Sequence, residues 1–171
     1  MILKKLYEKK IIQEGNFTLK CGEKSNIYID LRKVISYPEI HLKICDEISK
    51  KIKFNNVDLV CGTPYGAVSY TSYVSISNKL PMIFLRKEKK NYGTKKLVEG
   101  VYSKNNKVIL IEDVTTTGGS VCDAAKCLES HGLNVVQIIT IISRNKNKKM
   151  CYKKVPIEYL YHIDDINIKN N

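Results

Sequence analysis

Between residues 57 and 144 the sequence alternates short apolar runs with stretches of helical spacing, and few folds accept that order. The runs are "VDLVCG" (57–62), "PMIFLRK" (81–87), "KVILIED" (107–113) and "NVVQIITIISR" (134–144). Helical spacing occupies 67–78 and 119–131 between them. Strands alternating with helices predict βαβ units: an α/β fold with a central parallel sheet flanked by helices in three layers.

The segment before this region is less regular. Leu3, Leu6 and Ile11, with lysines between them, predict a helix over 3–14. "FTLKCGEKSNIYIDLRKVIS" (17–36) carries β-branched residues on both sides of Gly22 and predicts a hairpin or an irregular β segment, a small N-terminal hood. Pro38 then opens a helix over 38–53, in which Ile40, Ile44, Ile48 and Ile52 form a stripe at four-residue spacing. With no repeat and no linker, the 171 residues, 43% of them hydrophobic, are expected to form one domain over 1–171, with the tail "NIKNN" frayed.

Composition excludes several classes. No apolar run approaches the roughly 18 residues that span a bilayer, and the start "MILKKLYEKKII" has no secretory apolar segment. A cytoplasmic protein without membrane partners is expected. The six cysteines form no CxxC pair and the three histidines are far apart in the chain, so neither a metal site nor a disulfide framework is expected, and the thiols are read as buried and reduced. A net charge of +12 suits either a solvated surface or a cleft for phosphate or nucleic acid. Since 26 of the 29 basic residues are lysine and 14 asparagines accompany them, most of that charge is read as surface, with no nucleic-acid partner.

The chemistry concentrates in "VILIEDVTTTGGS" (108–120). In a parallel sheet, ligands bind outside the carboxyl ends of the strands, where this run places Glu112 and Asp113. The following turn offers backbone N–H groups, hydroxyls and a helix N-terminus to an anion. Adjacent carboxylates would repel a phosphate but suit hydroxyls or a hydrated metal ion. One of them could cap the next helix, but a cap needs a single acceptor and leaves the other unexplained. The combination suits a ribose phosphate with Mg²⁺. Neither GxxxxGK[ST] nor GxGxxG is present.

At these residues the chain resembles the type I phosphoribosyltransferase family. "FTLKCGEKSNIYIDLR", "VCGTPYGA", "PMIFLRKEKKNYGTKKLVEG" and Ser143–Arg144 are similar to orotate phosphoribosyltransferases, especially the transferase half of eukaryotic UMP synthase. The resemblance runs from about residue 6 to residue 144. It implies that Lys20 contacts both substrates, that Tyr28 and Ile29 line the orotate site, and that Tyr65 and Gly66 lie beside the pyrophosphate. It places Arg86, Lys87, Lys90 and Tyr92 in a mobile catalytic loop, where six lysines and arginines fall within 86–96. Glu112 and Asp113 would hold the ribose hydroxyls; Val114, Thr115, Thr116, Thr117, Gly118, Gly119 and Ser120 the 5-phosphate; Thr116 and Arg144 the orotate. For Arg144, a structural ion pair is the alternative to a bidentate carboxylate contact. Bacterial members carry lysine at the position of Gly66 and histidine at that of Tyr92.

The resemblance implies conversion of orotate and 5-phosphoribosyl 1-diphosphate to orotidine 5'-phosphate and pyrophosphate, as in pyrimidine (UMP) biosynthesis. Mg²⁺ would be held mainly through substrate and water, with no direct protein ligand. It also implies a homodimer sharing the catalytic loop between subunits, and an orotidine 5'-phosphate decarboxylase as a partner. Two rivals remain: a purine or other base phosphoribosyltransferase, and a regulator that senses phosphoribosyl diphosphate.

Overall fold

The computed structural model describes residues 2–19, 22–88, 97–145 and 149–165. Helix α1 spans Ile2–Glu8 and is shorter than the spacing predicts. Lys10 takes a left-handed backbone (φ 51). Ile11 and Ile12 then turn wholly into the core, and the chain leaves as strand β1, Ile12–Thr18. Two adjacent β-branched residues favour that extended exit over another helical turn. Strand β2, Lys24–Ile29, returns antiparallel, pairing Ile12 with Ile29 and Thr18 with Lys24, with an irregularity between Glu14 and Phe17. This is the expected hood hairpin.

After a 3-10 turn at Leu31–Ser36, helix α2 runs Pro38–Lys51 with its proline in the first turn, where the missing N–H costs nothing. Ile40, Ile44 and Ile48 face the core as their spacing predicts. Then follow β3 (Leu59–Gly62), α3 (Val68–Asn78), β4 (Met82–Leu85), β5 (Val98–Glu99), β6 (Lys107–Thr115), α4 (Gly119–Ser130), β7 (Asn134–Ser143), β8 (Cys151–Tyr152) and β9 (Val155–His162). The main sheet has the order β5-β4-β3-β6-β7-β9-β8. Its five inner strands are parallel, whereas the short rim strands β5 and β8 are antiparallel, so the sheet is mixed.

Successive residues of the inner strands face opposite layers. Val60, Ile109, Ile111 and Ile139 join the core beneath α2 and α3. Leu59, Cys61, Val108 and Leu110 meet Val121, Ala125 and Leu128 of α4. Each such aliphatic side chain contributes about 1.5–3 kcal/mol on burial. The parallel register, with Gly62 beside Ile111 and Thr115 beside Ser143, brings the carboxyl ends of β3, β6 and β7 to one edge.

Strand β9 has no counterpart in the expected elements. Pro156 near its start and side chains half-buried on both faces remove the clean alternation that marks a strand in sequence. Cys45 and Cys61 are buried, and burial pushes both thiols up to about 12; Cys151, against expectation, is exposed. No described helix is long and apolar enough to cross a membrane. The tail "NIKNN" lies outside the described residues.

Candidate active site

Strand β6 continues through Thr115, so Glu112 and Asp113 sit within it and the turn begins at Thr116. The two carboxylates differ sharply. Glu112 is only 4% exposed. Its Oε1 accepts from the Thr63 hydroxyl at 2.5 Å and its Oε2 from the Ser120 hydroxyl at 2.8 Å. It therefore ties the ends of β3 and β6 to the first turn of α4. Asp113 is half-buried; its Oδ1 accepts from the Val114 N–H at 2.8 Å. Its other oxygen rests on Gly66, where an added Cβ would lie 1.8 Å from Oδ2. Glycine at 66 is what lets the carboxylate take that place.

Burial raises the Glu112 carboxyl from 4.5 to about 7, and the neighbouring Asp113 adds to the rise against the opposing pull of the Thr63 and Ser120 hydroxyls. Between those pH values the folded chain holds a proton that the unfolded chain has released. The stabilisation from this group is therefore whole below pH 4.5 and is lost as pH rises through about 7. Glu112→Gln should flatten that slope, checked by thermal unfolding midpoints of both proteins across this range.

The turn after β6 forms an anion cradle. Gly118 adopts φ 85, a left-handed conformation suited to glycine, and starts α4, whose 12 residues present an N-terminus without a side-chain cap. Val114, Thr116, Thr117, Gly118, Gly119 and Ser120 line a cavity of about 380 Å³. Thr115 does not, because its hydroxyl is buried against that of Thr140 at 2.6 Å. The Asn145 side-chain amide donates to the Thr116 carbonyl at 3.1 Å and steadies the turn.

Tyr28, Ile29 and Arg144 line the same cavity. Phe17 packs on the Tyr28 ring with centroids 5.2 Å apart, which explains the aromatic in "FTLK". Arg144 leaves the end of β7, where its N–H donates to the Thr115 carbonyl at 2.7 Å. An adjoining cleft of about 710 Å³, sharing Val114, Ser120 and Asp123 with the first cavity, is lined by Thr63, Arg86, Lys87, Glu112 and Asp113. Tyr65 is exposed at its rim, with the Lys87 ammonium 4.7 Å from its ring centroid, while Arg86 pairs with Glu99 at 3.5 Å. Lys20, Lys90 and Tyr92 lie outside the described residues.

Sequence reasoning missed Thr63, Ser25, Asp123 and Asn145. Nothing in "CGTP" or "EKSN" distinguishes a hydroxyl aimed at a site from one in water, and only the register of the sheet and hood does so. No group of three histidines, cysteines or carboxylates among the described residues could hold a metal. The site's donor set suits a cation that arrives with phosphates and hydroxyls, with Asp113 among the carboxylates lining the cleft.

The paired carboxylates and the Thr/Gly turn thus meet at one parallel-strand edge. The phosphoribosyl transferase domain matches residues 36–171, and the chain belongs to the phosphoribosyltransferase family. It is 38% identical over 154 residues to an orotate phosphoribosyltransferase of Methanosphaera stadtmanae, covering 90% of this chain and 86% of that one. It is 41% identical over 149 residues to a uridine 5'-monophosphate synthase of Caenorhabditis elegans, of which it spans 30% while 85% of this chain is matched. The solved UMP synthase of Leishmania donovani superposes with a TM-score of 0.84 at 32% identity, covering 96% of this chain and 36% of that chain.

Proposed function

We propose that this chain is an orotate phosphoribosyltransferase. The carrying observation is one continuous site: a cavity holding Arg144 and Tyr28 beside the phosphate turn, opening into a cleft lined by Asp113, Arg86 and Lys87. In the reaction, N1 of orotate attacks the anomeric carbon, the bond from that carbon to the diphosphate oxygen breaks with its electron pair, and the N1 proton is released. Asp113 faces the ribose hydroxyls and the positive charge that grows on the sugar, while α4 and its turn hold the 5-phosphate. Glu112, engaged by Thr63 and Ser120, ties this edge together. Lys87 supplies counter-charge to the departing pyrophosphate, and Arg144 receives the orotate carboxylate. Mg²⁺, bound through substrate oxygens and water, would add further charge neutralisation.

The test is loss of orotate absorbance when phosphoribosyl diphosphate and Mg²⁺ are added, with hypoxanthine, adenine and uracil as competitors. Turnover of adenine or hypoxanthine in preference to orotate would refute the reading.

A cytoplasmic enzyme of UMP biosynthesis working beside an orotidine 5'-phosphate decarboxylase fits this activity. We also expect a homodimer. Tyr73 and Ile76 of α3, Phe84 of β4 and Val101 beyond β5 are exposed apolar residues toward one edge of the sheet, the kind of surface a twofold contact covers. Mixing Asp113→Asn with Lys87→Ala/Lys90→Ala under exchange should restore about a quarter of wild-type activity if the loop acts across the interface, since half the dimers are hybrids with one good site. Free exchange without recovery would place the loop in its own subunit.

A further inference from the structure

We propose that Ser25, in the hood hairpin, is a positioning residue that sets the Arg144 guanidinium for the carboxylate of the base, a role that rests on the assignment of orotate above. The Arg144 Nη2 donates to the Ser25 Oγ at 2.5 Å, joining residues on β2 and just beyond β7. The hydroxyl has no freedom to turn. Its hydrogen is given to the Ile27 carbonyl at 2.8 Å, and it accepts the Ile27 N–H at 3.1 Å. A serine hydroxyl has one donor and two acceptor positions, and these three contacts use them all. Its remaining lone pair therefore meets Arg144 in one direction only.

Arg144 is held at both ends, by the Thr115 carbonyl at its backbone and by Ser25 at its guanidinium. A contact at one corner restricts where the planar guanidinium can lie, and a bidentate carboxylate contact depends on its alignment. Tyr28 and Ile29, at the end of β2, line the cavity with Arg144, so the same contact joins the hood to the proposed base site. The bond is thus assigned to recognition of the base, while the phosphate is assigned to the turn at Thr116–Ser120.

Steady-state kinetics of the whole chain test this. Ser25→Ala should raise the Michaelis constant for orotate about three- to tenfold, the scale of one hydrogen bond, and leave that for phosphoribosyl diphosphate unchanged. Ser25→Thr should restore the wild-type value. In an Arg144→Ala background, Ser25→Ala should add nothing, because its effect passes through that arginine. Both constants rising together, or an equal added factor in that background, would overturn the inference in favour of a structural role for the hairpin. If the alanine variant does not fold, Ser25→Cys keeps the size and weakens the acceptor. An unchanged orotate constant in an active enzyme defeats this inference alone, whereas a wild-type chain inert toward orotate defeats the reading beneath it.

Discussion

Asp113→Asn should lower turnover at least about tenfold, a barrier rise of about 1.4 kcal/mol, while shifting the unfolding midpoint by less than about 2 °C. The stability half of that expectation comes from the carboxylate's two contacts. The asparagine carbonyl can still accept the Val114 N–H, and its amide nitrogen occupies the place of the oxygen on Gly66. Shape survives and charge does not. The kinetic half follows because a neutral amide offers less to a sugar carbon gaining positive charge. Measuring kcat beside a thermal melt separates the two, and unchanged kinetics with a normal melt would remove Asp113 from the chemistry.

Arg144→Ala should raise the Michaelis constant for orotate by about 10- to 100-fold, the scale of a charge-assisted hydrogen bond lost from a charged ligand. That for phosphoribosyl diphosphate should move less than about twofold if the turn and α4 hold the sugar phosphate as proposed. Arg144→Lys should fall between, keeping the charge but losing the planar fork. Equal rises for both substrates would make Arg144 a structural brace between β7 and the hood.

Much of this was legible in the sequence because periodicity and packing agreed. The isoleucine stripe of α2 and the alternating layers of β6 follow directly from side-chain spacing. The Thr/Gly turn was legible for a different reason: glycine at Gly118 and hydroxyls beside it answer a local backbone requirement. The division of labour between Glu112 and Asp113 was not legible. Two neighbours in a strand face opposite sides, but which side holds Thr63 and which holds Gly66 depends on how β3 enters the sheet. Thr115 shows the same limit, since its hydroxyl reads as a phosphate donor until strand pairing sets it against Thr140. The end of α1 was misplaced because Ile11 fits a helical stripe as well as it fits the core above β1.

The contact of Asp113 with Gly66 makes two remote positions one heritable unit. Any side chain at 66 would have to displace the carboxylate that now rests there, the same group that accepts the Val114 N–H. The lysine that the resemblance places there in bacterial members would thus be no simple graft: moved into this chain alone, its Cβ would displace the Asp113 carboxylate. Lineages that exchange glycine for a larger residue at this position should carry compensating changes around the carboxylate, and their drift should be correlated.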